Sequence, residues 1–377
     1  MTPPFSNRCS LARGFTAFNY SDVKRAINFG YGLPDPVMFA ELAWPNPFTG
    51  HTGVAPVDLP QYTDAAGLPE LRARLALRYG VRHDEIMLTS GASQALQLVA
   101  EAWINPGDVV LTEDPSYLGA LRTFSVLGAS VVQLSMGADG ADLDELEAVL
   151  RKNARVKLFY TTPSFHNPTG RYIPRTYMGR LAALLAHHGL PLVQDLVYAE
   201  LPYAGAVDWL PPGGNVINLH SISKIAGPGL RLGWVLAESE IIKRLVRLKL
   251  DGGVSPITSN VVLSLLQSGA LDAHICRLRQ HYRTKRDDLS TLLQCSPIFE
   301  PDYVLPSGGF SFWLQLVAAT DAEAFIEAAR RQYDVHLVHG RNYGPQSVDH
   351  VRLCFSYLPM SAIEQGLALL GDLHAKL

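Results

Sequence analysis

Between residues 86 and 234 short apolar runs alternate with amphipathic stretches, and no other feature of the chain restricts its fold so strongly. A strand made of consecutive apolar residues must be covered on both faces, which is the situation of a parallel sheet flanked by crossover helices. Strands are therefore predicted over 86–89, 109–112, 131–134, 157–160, 192–194, 216–219 and 233–236, with helices over 93–103, 117–127, 142–152, 175–188 and 239–250. The fold class expected is α/β: a large domain built on a mostly parallel seven-stranded sheet. A long helix over 271–293 follows. After Pro297 the pattern changes to a strand over 308–314, a helix over 321–331 and a strand over 351–355, the outline of a smaller α+β domain. The first 60 residues, rich in Pro and Gly, suit an arm laid over another surface. The expected divisions are 1–45 for the arm or lid with part of the small domain, 46–275 for the large domain and 276–377 for the small C-terminal domain.

Composition removes several function classes. With 32 Lys and Arg against 35 Asp and Glu, the net charge of -3 gives no reason to expect nucleic acid or an anionic membrane surface as a partner. The first eight residues lack the apolar region of a signal peptide, and no apolar stretch approaches the roughly 18 residues needed to span a bilayer. A soluble, cytoplasmic protein is expected. Cys9, Cys276, Cys295 and Cys354 are widely separated and read as reduced thiols. Only eight residues are lysine, which narrows the candidates for any lysine chemistry.

The ends of the predicted strands carry the polar clusters, and in an open α/β sheet ligands bind at the carboxyl ends of the strands. Thr89-Ser90-Gly91-Ala92-Ser93-Gln94 opens a helix, where it is either an ordinary cap or a phosphate cradle. Asp195, with Tyr198 three residues on, either caps the next turn or offers a carboxylate and a phenol to one cleft. Asn167-Pro168-Thr169-Gly170 reads as a turn that can also bring an amide to the same edge. Ser221-Ile222-Ser223-Lys224, followed by Gly227-Pro228-Gly229-Leu230-Arg231, combines a candidate covalent amine with phosphate clamps, unless Lys224 is merely solvated. The run His336-Leu337-Val338-His339 reads as one strand, whose alternation would separate the two histidines and argues against a metal site. His187-His188 reads as the end of a helix before Gly189.

Taken in strand order, these motifs resemble the class I/II aminotransferases of fold type I, the pyridoxal phosphate (PLP) enzymes, and in particular the 2-aminoadipate and kynurenine aminotransferase branch. The resemblance runs from Gly32-Leu33-Pro34-Asp35-Pro36 through Gln61-Tyr62, Asn167-Pro168-Thr169-Gly170 and Ser221-Ile222-Ser223-Lys224 to Val351-Arg352-Leu353. It implies that Lys224 is the Schiff-base lysine and that Asp195 pairs with the pyridine nitrogen. It further implies that Asn167 and Tyr198 donate to the phenolate oxygen of the ring and that Tyr117 stacks on it. Ala92, Ser93, Ser221, Ser223 and Arg231 align with phosphate-binding positions, and Tyr62 with a tyrosine given to the neighbouring subunit's phosphate. Relatives commonly read Gly-Ser-Gln-Gln where this chain has Gly91-Ala92-Ser93-Gln94, so Ala92 is expected to contribute its backbone N–H alone. Arg352 resembles the arginine that takes the substrate α-carboxylate, and Gly32 and Asn167 are expected beside the substrate. His166 stands where relatives often carry glutamine, with no role assigned.

The resemblance implies exchange of an amino group between an L-amino acid and a 2-oxo acid, with 2-oxoglutarate and glutamate as one pair, in a ping-pong mechanism and a homodimer. The same scaffold supports elimination, decarboxylation or oxidation. A sensing module of a transcription regulator would need a DNA-binding domain, and about 30 residues before Gly32 are too few for one. The span Arg13 to Tyr20, a mobile lid in the related branch, leaves acidic, aromatic and long polar side chains open as substrates.

Overall fold

The apolar runs of the central region assemble into a single sheet. The computed structural model describes residues 6–12, 26–48, 52–318 and 320–376. Its first strand, β1 (Ile27–Asn28), is followed by β2 (Ile86–Thr89), β3 (Val109–Asp114), β4 (Ser130–Ser135), β5 (Val156–Thr161), β6 (Leu192–Asp195), β7 (Val216–Ser221) and β8 (Gly233–Leu236). Strands β2 to β8 lie in the spatial order β2, β8, β7, β6, β5, β3, β4. β8 runs antiparallel to both its neighbours, and the remaining pairs are parallel.

Both faces of this sheet are buried, and the two-residue period of a strand decides which side chain goes where. Val110, Leu158, Val193 and Ile217 pack on one face under the helices Ala92–Trp103, Leu118–Val126 and Ser239–Leu248. Val109, Leu111, Phe159, Leu192 and Val216 pack on the other, under Leu143–Lys152 and Arg175–His187. Each such Leu or Ile contributes about 1.5–3 kcal/mol of burial. Local chemistry sets the helix limits: Asp142 accepts hydrogen bonds from the N–H groups of Asp144 and Glu145, and Arg151 and Lys152 sit at the negative end of the same helix.

Three expectations are corrected. The helix predicted over 239–250 ends at Leu248, because the next residue, Lys249, is buried and its ammonium donates to the Ala65 carbonyl and to Asp251. The strand predicted from 308 begins at Ser311, since Gly309 has a positive φ of 73° that breaks the extended path. The run 336–339 is two strands in different sheets: β10 (Val335–His336) pairs in parallel with β1, whereas β11 (Val338–His339) pairs with β12 (His350–Cys354). The helices Pro69–Tyr79, Pro256–Gln267 and Met360–His374 are additional to those expected.

β12 lies between β11 and β9 (Ser311–Gln315) in an antiparallel three-stranded sheet. Phe29 links the two small sheets, donating to His336 O and accepting from Cys354 N, both at 2.9 Å. The segment after it is held by the long helix Ala270–Gln294: Asp35 N–H donates to the Tyr282 hydroxyl at 2.8 Å, and Lys285 donates to the Asp35 carboxylate at 3.1 Å. One apolar cluster runs without a break from Leu88 of β2 to Leu353 of β12. Among the described residues no helix is long and apolar enough to cross a membrane.

Candidate active site

The carboxyl ends of β2, β3, β5, β6 and β7 lie along one edge of the large sheet, because these strands are all parallel to one another. The antiparallel course of β8 brings its beginning to the same edge. Gly233 pairs with both Thr89 and Ser221, so Arg231, two residues earlier, lies between the loop after β2 and the loop after β7. A Cβ on Gly233 would meet the Gly91 carbonyl carbon at 2.8 Å and the Ala92 nitrogen at 2.9 Å, so only glycine allows this approach. Gly91, at φ 88°, turns the chain into the helix Ala92–Trp103, whose first N–H groups have no intrahelical acceptor.

At that end the Ser221 hydroxyl donates to Ser223 Oγ at 2.8 Å, and the Arg231 guanidinium donates to the Ser90 carbonyl at 2.9 Å. The loop after β7 carries Lys224, whose ammonium donates to Gly32 O at 2.6 Å and lies 5.4 Å from the centre of the Tyr198 ring. Burial lowers the Lys224 pKa to about 8. Asp195 ends β6 and is buried, accepting from the Tyr160 hydroxyl at 2.9 Å and from Val197 N–H at 3.3 Å. Burial raises its pKa to about 6, while those hydrogen bonds and the Lys224 charge pull the other way.

The small sheet supplies the opposite wall. Arg352, paired with Val338 and Trp313, donates to Asn167 Oδ1 at 2.9 Å and to the Gly30 carbonyl. Its Nε is buried and has no hydrogen-bond partner among the described residues. Gly32 lies close enough to the site that a Cβ there would be 3.2 Å from the Tyr198 hydroxyl.

A cavity of about 650 Å³ opens between these walls. Gly32, Ala92, Ser93, Tyr117, Asn167, Asp195, Tyr198, Ser221, Ser223, Lys224, Arg231 and Arg352 all line it. Residues 55–370 match the family model of class I and II aminotransferases. The chain belongs to that family. It is 33% identical over 327 residues to the 2-aminoadipate transaminase of Thermus thermophilus, covering 82% of this chain and 80% of that protein. It is 31% identical over 332 residues to the aromatic-amino-acid aminotransferase 1 of Thermococcus litoralis, covering 83% and 79%. Among solved structures, the alpha-aminoadipate aminotransferase LysN of Thermus thermophilus, complexed with N-(5'-phosphopyridoxyl)-L-leucine, has a TM-score of 0.85 at 30% identity, over 99% of this chain and 98% of that one.

The protein is thus a PLP-dependent aminotransferase of fold type I, acting between an amino acid and a 2-oxo acid. The site fits that cofactor chemically. Hydroxyls, a guanidinium and a helix start offer donors to a phosphate at one end, a buried carboxylate lies within electrostatic reach of the Lys224 amine, and the orphaned Arg352 Nε calls for an anion.

Tyr62 is the one predicted site residue outside the cavity: it is 89% exposed and packs against Gly252. The lid span Arg13 to Tyr20 lies outside the described residues. His166 does not line the cavity. It is fully buried, its Nδ1 is 3.0 Å from the Thr169 hydroxyl, and burial holds its pKa down to about 3, so it braces the turn presenting Asn167 as a neutral ring. Tyr160 is a site residue that sequence reasoning misses. Its signal is its place near the end of β5, but the adjacency of β5 to the strand ending in Asp195 is a fact of topology.

Proposed function

We propose that this aminotransferase works through Lys224, Asp195, Tyr198, Asn167 and Arg352, on a pair of substrates that includes glutamate and 2-oxoglutarate. One observation carries the reading: a lysine that burial makes readily deprotonated shares a cavity with a buried carboxylate and an anion-seeking arginine. The chemistry supplied by PLP, when bound, is an aldehyde for amine exchange and a ring that accepts electron density.

Everything else falls to the chain. Lys224, whose pKa burial lowers to about 8, gives up its proton far more readily than a free lysine and then has the basicity to take the proton from the substrate Cα and hand it on. Asp195, held ionised by Tyr160 and Val197, keeps a facing pyridine nitrogen protonated. Tyr198 and Asn167 orient the phenolic oxygen, and Tyr117 stacks on the ring. Ala92 N–H, Ser93, Ser221, Ser223 and Arg231 hold the phosphate, and Arg352 takes the α-carboxylate beside Gly32.

A homodimer completes this reading, with Tyr62 of each subunit reaching its neighbour's phosphate; its exposure and distance from its own cavity support that. Sedimentation of the active enzyme is expected to give a dimer, and a fully active monomer would refute it. The four unpaired cysteines agree with the reducing cytoplasm. The division into an arm at 1–45, a cofactor-binding domain at 46–275 and a small domain at 276–377 belongs to the same proposal.

The test is a half-reaction. Holoenzyme given one good amino acid and no 2-oxo acid is expected to release about one oxo acid per site, without ammonia, and stop. Added 2-oxoglutarate should restart it and yield glutamate. Continuous release of product and ammonia without an acceptor would point to elimination or, with oxygen consumed, to oxidation.

A further inference from the structure

One wall of the cavity is a strap of irregular chain. Gly30, Tyr31, Gly32 and Leu33 line the cavity, and residues 31–35 belong to no helix or strand, so side chains from other elements fix their course. The fit is close: a Cβ on Gly30 would stand 3.0 Å from Asn28 Oδ1 and from Val338 Cγ2. Two strap carbonyls accept from groups of the site, Gly30 O from Arg352 and Gly32 O from Lys224. A ligand that engages those side chains competes for the same donors. The strap therefore needs an anchor that no ligand contests.

That anchor is a buried ammonium. Lys285, on the helix Ala270–Gln294, donates to the Asp35 carboxylate at 3.1 Å, to Ser356 O at 2.9 Å and to Leu358 O at 2.7 Å. An ammonium has three N–H groups, so donors and acceptors are matched. Burial pushes the Asp35 carboxyl up, but hydrogen bonds from His281 and Lys285 and the Lys285 charge outweigh it and hold the carboxyl below its ordinary range, ionised. Ser356 and Leu358 lie on the segment that leaves β12, just after Arg352, and the Ser356 hydroxyl donates to Leu33 O at 2.5 Å. Lys285 thus ties the strap to the exit of the strand that carries Arg352. The chemistry proposed above makes no use of it.

We infer that Lys285 is a positioning residue for the α-carboxylate site: by locking the strap Gly30–Asp35 to the exit of β12, it sets the carbonyl that orients the Arg352 guanidinium. The inference rests on the aminotransferase reading above. One terminal nitrogen of Arg352 is held by Gly30 O and the other by Asn167 Oδ1, which fixes the plane of the fork. Without the ammonium, a carboxylate and two carbonyls are left buried with a donor missing, and strap and strand exit separate to reach water. Gly30 O then no longer fixes the fork. Every substrate carries the α-carboxylate, before and during the reaction, so the loss falls on KM for all of them alike.

The test compares wild-type holoenzyme with Lys285→Met, alone and in an Arg352→Lys background, on glutamate, leucine and phenylalanine. Lys285→Met is expected to raise KM about tenfold for each amino acid the wild type accepts, with kcat changed less than about threefold. In the Arg352→Lys background the same substitution should lower kcat/KM by less than about twofold, because the residue it acts through is already impaired. A lower Tm with KM unchanged would make Lys285 a purely structural residue and overturn the inference. So would an undiminished tenfold effect in the Arg352→Lys background. If Lys285→Met does not fold, Asp35→Asn and Ser356→Ala serve instead, since both nearly keep the side-chain shape. Each is expected to raise KM about threefold, an effect lost in the Arg352→Lys background; unchanged KM in both would overturn the inference and leave the aminotransferase reading standing. Absence of wild-type turnover with every amino acid would instead remove that reading and the inference with it.

Discussion

Replacing Lys224 by alanine is expected to lower turnover by about four orders of magnitude, the scale on which removal of a combined base and covalent amine is felt. No other amine can take its place: Lys224 is the only lysine lining the cavity among the described residues. Cofactor binding should weaken less than turnover, since Ser221, Ser223, Arg231 and the helix start are untouched. A small exogenous amine should restore part of the activity by supplying the missing base. In the unmodified protein, borohydride reduction should attach the pyridoxyl group to Lys224, and peptide mapping to any of the other lysines would falsify the assignment. The pH dependence has a definite sign. Burial lowers the Lys224 pKa to about 8, so its neutral, nucleophilic fraction grows as pH rises toward that value and levels off above it. Uptake of PLP by the apoprotein should accelerate accordingly between pH 6 and about 8. A variant retaining near-normal turnover would exclude Lys224 from the chemistry.

Asp195→Asn is expected to cost about a thousandfold in kcat, or about 4 kcal/mol of transition-state stabilisation, with the fold intact. The fold survives because asparagine has the same shape: its one side-chain oxygen can accept from the Val197 N–H, as Oδ1 does, and its amide NH2 can donate to the Tyr160 hydroxyl that now donates to Oδ2. What disappears is the charge. Burial pushes the Asp195 pKa up to about 6, so at pH 7 the carboxylate is ionised, and a cation placed against it would keep it so at lower pH. A neutral amide gives the facing ring nitrogen no reason to stay protonated. Circular dichroism should therefore be unchanged while single-turnover rates collapse. Near-normal single-turnover rates would show that this carboxylate does not govern the ring.

The central sheet was legible because its strands are short, apolar on both faces and separated by amphipathic stretches, a pattern with few folded solutions. The motif residues were legible for a related reason: Ala92, Asp195 and Lys224 lie at strand ends or within three residues of them, and parallel strands deliver their carboxyl ends to one edge. The helix Pro69–Tyr79 carries its own end signals, Pro at its start and Gly80 at φ 65° after it, but lies outside the alternating region that dominates the pattern. The short strands β1, β10 and β11 have two residues each, too few for any period to register. Lys249 and Arg122 follow the same lesson in opposite directions. Charged residues in helical stretches read as solvated, yet one is buried on the Ala65 carbonyl and the other faces the cavity.

By itself, then, the sequence determined the fold class, the family and which strand ends bear reactive groups, since these depend on periodicity and on residue types at fixed local spacing. Tertiary structure alone decided which groups meet. The β5–β6 adjacency sets Tyr160 against Asp195, the antiparallel course of β8 sends Arg231 to the loops after β2 and β7, and the β11–β12–β9 sheet carries Arg352 to Asn167. These are contacts between residues far apart in the chain, created by strand order and by burial of the large and three-stranded sheets against a shared apolar cluster, and no local pattern encodes them.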